Sequence, residues 1–596
     1  MHSAFQVFTP PEHPVLSLEV QAQMRSKEIV RMNRFIVLAR HFFDRFFDNP
    51  MTSADGGNAI RVIQVLVILA VPSLFVALSL MPSYFIFPPN TAPRGYWPRV
   101  CDHYFYVMYA IIALGTATVF EWDLLFPDLL DVLVLTPLPV PARKFFTAKI
   151  AALGFFLALF LLASGLPGAV FLPMIAEEPS VIRHFISHIF AVTAGGLFTA
   201  GFFVSLQGIL INLLGEKIFR WISPILQALS LTLLLIVFFL FPLLSHNLQL
   251  LLTSGNQSAF WFPPFWFLGI YQTLLEGSSA PHAFLVLAAR GALALLIVLA
   301  LTVLTYPLAY RRKMRSTIEG TVAKNSRNWL ADIKDKVLHT AFILGPAQRA
   351  VYHFISQTLK RAPHHRVYLS MYGGVGLALL IAGTLQFRQH NGHVVLIYSD
   401  FGLRSAIPLV AFLVVSGLKL AFMSPVELKA NWPFLIIGSR PNHDHVTATL
   451  RWTLPRAVFV TLAVFLLGKL LSPSTFPGWP QMLTQLLLAQ GLCLLLIDIF
   501  FLSFLSVPFT VPLAYSKRNL AMYVAALLVL FVPFIQTTVD IGHWIERNPA
   551  HFIVATFLIL AAHILLQHHQ REKIRERANW YEDVEIDEFP QRLGLS

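Results

Sequence analysis

Long apolar runs separated by shorter polar segments are the dominant pattern along the chain. An α-helix needs about 20 mostly apolar residues to cross the hydrocarbon core of a bilayer. The runs are continuous and lack the strict alternation of a β-strand, so they predict helices rather than a membrane barrel. Twelve spans are predicted: residues 62–87, 104–120, 146–175, 186–214, 221–244 and 283–310, then 367–385, 406–423, 452–471, 482–507, 521–535 and 549–566.

Basic polar segments precede, separate and follow the two groups of six spans. Residues 20–47 interleave phenylalanines with arginines, a pattern typical of an amphipathic helix lying on the membrane surface. The predicted domains are an N-terminal segment with this interfacial helix (1–61), a first six-span half (62–310), a basic linker with a second interfacial helix (311–366), a second six-span half (367–566) and a tail (567–596).

The loop that follows the second span of each half carries a short repeat. Residues 132–149 align with 434–451 without a gap, and Pro139 then falls on Pro441 and Lys149 on Arg451. An even number of spans gives both halves the same orientation in the membrane. The predicted fold class is an all-α polytopic membrane protein of about 12 transmembrane helices arranged as two parallel six-helix repeats.

Lysine and arginine set the predicted orientation. They concentrate in the N-terminal segment, the linker and the tail, whereas the loops at 245–282 and 472–481 on the opposite side contain neither. The positive-inside rule therefore places both termini in the cytoplasm of a multi-pass protein, which we expect in the plasma (inner) membrane.

Composition agrees with a lipid environment and narrows the function. The chain of 596 residues is 56% hydrophobic and only 13% charged, with a mean hydropathy of +0.65. A soluble domain has about 25% charged residues, so this chain is neither a soluble enzyme nor, despite its net charge of +13, a nucleic-acid binder. Its two cysteines, Cys101 and Cys493, form no disulfide or metal motif.

The loop between the second and third spans contains the most specific sequence motif. It begins with Glu121 and Asp123, continues through an amphipathic stretch, 124–135, and ends in prolines and basic residues. No Gly-rich phosphate-binding loop occurs in the chain, so it is not expected to hydrolyse ATP by itself. The residues that define the motif are, in order, Glu121, Asp123, Leu138, Pro139, Val140, Arg143, Lys144 and Lys149.

This order of residues resembles the intracellular loop of the permeases of type-2 ATP-binding-cassette exporters. The resemblance extends to the N-terminal amphipathic helix and to a helical hairpin on the outer face, here at 258–275. The resemblance is weaker in the second half. There His445 and Val446 stand in place of the basic pair Arg143 and Lys144, and Glu427 is the single acid at the start of the loop.

The resemblance implies a fused permease with no cofactor of its own. Two copies of a separate ATPase subunit would bind ATP and Mg and dock under the two coupling loops, the first at 121–149 and the second marked by Glu427, Pro441 and Arg451. The expected partners are these subunits and the lipid bilayer, with no nucleic acid. Few polar side chains lie in the spans, so the expected substrate of export is apolar or amphipathic.

Ionisable residues inside spans are the other candidates for function. Asp498 is the only acid well inside a predicted span, and Lys419, at a comparable depth, is its expected structural partner. His184 and His188 lie four residues apart on one helix face, a spacing that could bind a metal, although an interfacial or solvated position is favoured.

Two other functions remain open. An ion-coupled secondary transporter also often has six plus six spans, but it would ordinarily show several buried acids. A membrane-embedded lipid-linked transferase would need catalytic acids on the outer face, for which Glu276, Asp540 and Glu546 are the candidates.

Overall fold

A computed structural model describes the helical parts of the chain and some of the loops. The described residues are 34–47, 58–85, 94–127, 131, 137, 140–175, 180–253, 257–318, 345–390, 393–424, 443–471, 478–502, 507–510 and 513–580.

Nine helices are described in the first half and the segment before it. In chain order they are α1 (Arg34–Phe47), α2 (Asn58–Phe85), α3 (Tyr96–Phe120), α4 (Ala142–Ile175), α5 (Val181–Phe239), α6 (Phe241–His246), α7 (Leu248–Thr253), α8 (Pro263–Glu276) and α9 (His282–Ile318). Helix α5 contains both the fourth and the fifth predicted spans. The two are separated by a break at Gly215, whose φ of 72° is accessible to glycine at little cost.

The linker and the second half contain further helices and one β-hairpin. The helices are α10 (Pro346–Arg361), α11 (Pro363–Thr384), α12 (Asp400–Met423), α13 (His443–Leu471), α14 (Trp479–Phe501), α15 (Leu513–Glu546) and α16 (Pro549–Trp580). Strands β1 (Leu385–His390) and β2 (His393–Tyr398) pair antiparallel between α11 and α12. This short hairpin, which was not predicted, is the exception in a fold that is otherwise helical within the described residues.

Ten helical segments in the described part of the chain, two of them within α5, are long and apolar enough to cross a membrane. They account for ten of the predicted spans, and the protein is therefore of the helical multi-pass membrane type. The seventh predicted span lies in a shorter apolar helix, Tyr368–Thr384, and the eleventh lies within α15. In the peripheral helices α2 and α16, only 11% and 6% of the residues in an apolar stretch of 18 are buried, as expected for surfaces that contact lipid.

The second span of each half is its most buried helix. In both α3 and α12, 83% of the residues in the corresponding apolar stretch are buried. Helix α3 packs against α4, α5 and α8, and α12 packs against α13, α14 and α15. Any movement of the loop that follows α3 therefore acts directly on the centre of the first half.

An amphipathic helix packs on the third span of each half. In the first half, Phe42, Phe46 and Phe47 of α1 are buried against Phe145 and Phe156 of α4. In the second half, α10 packs on α13, and Trp452 Nε1 donates to Ser356 Oγ at 2.8 Å. Helices α1 and α10 thus lie in the two segments for which interfacial helices were predicted, and residues 20–33 of the first segment lie outside the described residues.

The predicted outer hairpin is a folded cap on the first half. Helix α8 is largely buried against α3, α5 and α9. Gly269 permits the close approach of α8 to α9, since a Cβ there would lie 2.7 Å from the backbone nitrogen of Ala288. The two halves meet where α11 packs along α5.

Candidate functional site

The loop after α3 begins as a turn whose tryptophan is completely buried. Trp122 has no exposed surface, and its Nε1 donates to Ser223 Oγ on α5 at 2.8 Å. A buried indole ordinarily needs such a partner for its N–H. The turn is therefore anchored to the fifth span rather than lying loosely on the membrane surface.

Side chains from two other positions on α5 and from α9 bind the backbone at this turn. Gln207 Nε2 donates to the carbonyl of Trp122 at 3.0 Å, and Tyr306 OH donates to the carbonyl of Leu125 at 2.7 Å. Gln227 Nε2 donates to the carbonyl of Val119 at 2.9 Å, at the end of α3. These bonds satisfy carbonyls that no longer have helical partners. As a result, the turn joins α3, α5 and α9 mechanically.

A buried cluster of charges fixes the start of the third span. Lys149 Nζ lies 2.8 Å from Asp131 Oδ2, and the two residues are only 3% and 5% exposed. Arg45 of α1 bonds the other oxygen of Asp131, and Lys149 also donates to the carbonyl of Phe126 at 3.1 Å. The ammonium lies over the ring of Phe42, 5.3 Å from its centroid. The interfacial helix, the loop and α4 are thus connected through one carboxylate.

Asp131 was not predicted as a site residue, although Lys149 was. The missed indication is a single acid within the apolar run of residues 129–135. An acid in such a run is costly to bury without a cationic partner. It therefore indicates a nearby lysine or arginine, here supplied by two different helices.

The predicted acids at the start of the loop lie in two environments. Asp123 is exposed, whereas Glu121, at the end of α3, is partly buried. Burial, with a smaller contribution from the carboxylate of Asp123, raises the pKa of Glu121 to about 8. Burial therefore favours the protonated form of Glu121, and its role in docking stays a prediction.

Glu121→Gln is expected to stabilise the protein in a pH-dependent manner. The pKa is higher in the folded than in the unfolded state, so the native state binds more protons and the wild type loses stability as pH rises towards 8. The glutamine variant lacks this loss, and we expect it to gain about 2 kcal/mol over wild type at pH 8.5 but almost nothing at pH 4. Thermal unfolding in detergent at both pH values measures the difference.

The matched control for this variant is Glu576→Gln. Glu576 is exposed near the end of α16, so its substitution should leave stability unchanged at both pH values. Equal gains for the two variants, or a gain for Glu121→Gln that does not depend on pH, would contradict the burial of this carboxyl.

The basic residues of the first loop divide into buried and exposed ones. Arg143 and Lys144 are exposed at the start of α4, and Val140 packs partly against the cluster around Phe145. Leu138 and Pro139 lie outside the described residues. Within the described part of this loop, Arg143 and Lys144 thus form an exposed basic pair at the start of α4.

The second predicted loop is described only at its end. Glu427 and Pro441 lie outside the described residues. Arg451 Nη1 donates to Gln348 Oε1 on α10 at 3.0 Å, and Gln348 Nε2 donates to Asp444 Oδ1 at 2.7 Å. Arg451 thus occupies the helix position of Lys149 but is exposed and has a neutral partner.

The expected pairing of Asp498 with Lys419 is wrong. Asp498 Oδ2 lies 2.5 Å from His563 Nδ1 and Oδ1 accepts from Gln567 Nε2 at 2.9 Å, both from α16. Lys419 Nζ donates to the carbonyl of Phe500 at 2.8 Å. Position 500 lies about 200° around the helix from position 498, so α14 turns Asp498 towards α16, away from this lysine.

The candidate metal ligands form a buried aromatic cluster. His188 Nε2 lies 3.2 Å from the carbonyl of Gly165, and its Nδ1 lies 3.5 Å from Tyr271 OH. His103, which the sequence did not single out, stacks on Tyr271 at 4.3 Å and lies 5.9 Å from the ring of His184. Within the described part of the chain, no group of three or more His, Cys, Asp or Glu residues could hold a metal ion.

The outer-face acids considered for a transferase lie apart. Glu276 accepts from Tyr96 OH at 3.1 Å in the first half, and Glu546 accepts from Arg404 Nη1 at 2.6 Å in the second. The structure does not bring these two carboxylates together as an acid–base pair.

Comparisons of the chain with protein-family models, with curated proteins and with solved structures find no match.

Proposed function

We propose that the chain is the membrane permease of an ATP-binding-cassette transporter, driven by separate ATPase subunits. The observation that supports this most strongly is the construction of the loop after α3. Its turn is bonded to α5 through Trp122 and to α9 through the carbonyl of Leu125, and the buried Asp131–Lys149 pair fixes the start of α4. A force applied to this loop would move three spans together, which is what a partner that hydrolyses ATP requires.

The layout of the second half supports a permease made of two similar halves. Each half has an amphipathic helix on its third span and a second span that is 83% buried. In this proposal both halves belong to one pore, both termini are cytoplasmic, and two ATPase copies dock below. The mostly apolar spans favour export of an apolar or amphipathic substrate.

Charge reversal of the exposed basic pair tests the docking surface. We expect Arg143→Glu with Lys144→Glu to reduce the ATP hydrolysis that co-purifies with the tagged chain from its native membranes by about tenfold or more. Reversed charges on an interface rim produce like-charge repulsion with a partner selected for the basic pair. The assay measures ATP hydrolysis and quantifies any subunit with a Gly-rich phosphate-binding loop.

The control variant reverses the charge of two exposed arginines elsewhere at the proposed cytoplasmic end of the protein. Arg571→Glu with Arg575→Glu on α16 adds the same charge and should leave the recovered hydrolysis unchanged. A wild-type chain that recovers no ATPase, or equal losses for both double variants, would contradict docking at Arg143 and Lys144.

The Asp498–His563 pair favours a second candidate function, a proton-coupled carrier. A buried carboxylate 2.5 Å from an imidazole is a suitable site for proton transfer within a membrane. In that case Asp498→Asn would abolish transport driven by a proton gradient, and no ATPase would be recovered with the chain.

The energy source separates the two functions. For the permease, vanadate stops transport in inverted membrane vesicles and a protonophore does not. For the proton-coupled carrier, a protonophore stops transport and vanadate does not. In the permease, Asp498→Asn changes stability but leaves the coupling of ATP hydrolysis to transport intact.

A further inference from the structure

A cavity of about 240 Å³ lies where the two halves meet. One wall is the segment of α5 from Phe219 to Leu231, and the other is the start of α11, with Arg366 and Ser370. Lys313, near the end of α9, and Asp123, from the turn after α3, also line it. Residues that the topology places on the cytoplasmic side of both halves therefore surround a single chamber.

The charges around this cavity favour an anion. Two of the charged side chains described in its lining are cationic, Lys313 and Arg366, and one, Asp123, is acidic. Both cationic side chains belong to the lining of the cavity, so an anion bound there would meet two positive charges.

The surroundings of the cavity favour an anion that has an apolar tail. Phe219, Pro224 and Leu231 contribute apolar surface beside the hydroxyls of Ser223 and Ser370. The lining can therefore contact both a charged head group and the adjoining part of an acyl chain.

We propose that this cavity binds the phosphate-bearing head group of an anionic amphiphile, with Arg366 and Lys313 as its main cationic contacts. The amphiphile is either an inner-leaflet lipid or the transported substrate. Both present the same phosphate chemistry to the cavity, and the half-apolar lining distinguishes either of them from free phosphate.

The cavity shares its wall with the loop that follows α3. Ser223 lines the cavity and accepts from Trp122 Nε1 at 2.8 Å, and Gln227 lines it and donates to the carbonyl of Val119 at 2.9 Å. A displacement of the turn would therefore change the shape of the binding chamber. This link, unlike head-group binding itself, rests on the proposed function.

Binding is tested with the full chain in detergent micelles. The probes are short-chain phosphatidylglycerol, phosphatidylcholine of the same chain length, and inorganic phosphate, each titrated by isothermal calorimetry. We expect phosphatidylglycerol to bind about tenfold or more tightly than either of the other probes. Arg366→Gln should weaken phosphatidylglycerol binding about tenfold, as expected for the loss of a charge-assisted hydrogen bond. Arg361→Gln, at an exposed arginine on α10, should leave it unchanged.

Equal affinities of Arg366→Gln and Arg361→Gln would overturn the proposal, and so would inorganic phosphate binding as tightly as phosphatidylglycerol. If Arg366→Gln does not fold, Lys313→Gln serves in its place with the same expected direction. A second arm adds lipid extract from the native membranes: retention of bulk phosphatidylglycerol by the purified chain identifies a lipid site, and retention of another phosphate-bearing amphiphile identifies a substrate. These assays need no ATPase, so their failure is distinct from a failure to recover one.

Discussion

Asp131→Asn is expected to lower the free energy of unfolding by about 3–5 kcal/mol, since removing one partner of a buried ion pair leaves an uncompensated charge. Lys149 is almost fully buried beside Asp131, and Arg45 loses its carboxylate partner at the same time. Because these residues hold α1, the loop and α4 together, recovery of ATP hydrolysis with the chain should fall as well. Thermal unfolding in detergent and the co-purification assay measure the two effects.

A surface pair of the same helix provides the control. Arg40 and Asp44 lie 3.8 Å apart on α1 with largely exposed side chains, and Asp44→Asn should cost less than about 1 kcal/mol. The double variant Asp131→Asn with Lys149→Met should recover part of the stability, because it removes the orphaned ammonium as well. Additive losses in the double variant would show that the two charges do not interact.

Trp122→Ala is expected to destabilise the protein by about 3–5 kcal/mol, the usual cost of truncating a buried tryptophan. The indole is fully buried between α3 and α5, and its loss also leaves the hydroxyl of Ser223 without its donor. The turn would then no longer be fixed to the fifth span. The unfolding midpoint in detergent is the measurement.

Two variants separate packing from hydrogen bonding at this position. Trp122→Phe keeps most of the apolar volume and should cost only about 1–3 kcal/mol for the lost hydrogen bond and the smaller ring. Trp261→Ala removes an indole that is 72% exposed and should have little effect. Similar losses for Trp122→Ala and Trp261→Ala would contradict the anchoring role of the turn.

The spans could be predicted well because the bilayer imposes length and apolarity on each helix separately. Ten of the predicted spans coincide with long apolar helices in the described part of the chain. The hairpin β1–β2 was missed, although an Asn-Gly pair at 391–392 between two segments rich in β-forming residues is a hairpin signal. The length and apolarity that mark a membrane-spanning helix do not identify strands as short as these.

The partners of the candidate residues could not be predicted from spacing alone. Lys149 was singled out, but its carboxylate at Asp131 depends on how the loop folds back between α1 and α4. Asp498 was singled out too, yet its partner His563 lies 65 residues away on the last span. Two side chains pair only if they lie at the same depth in the membrane and point towards each other around their helix axes. The sequence indicates the depth, but the direction depends on how the helices pack.

The central claim is that this single chain forms a whole permease for two ATPase subunits. Its most direct test is the mass of the complex purified from native membranes, measured by native mass spectrometry together with ATP hydrolysis. The account predicts one 67.0 kDa chain with two copies of a nucleotide-binding subunit, and hydrolysis that Arg143→Glu with Lys144→Glu removes. A chain recovered alone or only with copies of itself, with no ATP hydrolysis, would contradict it.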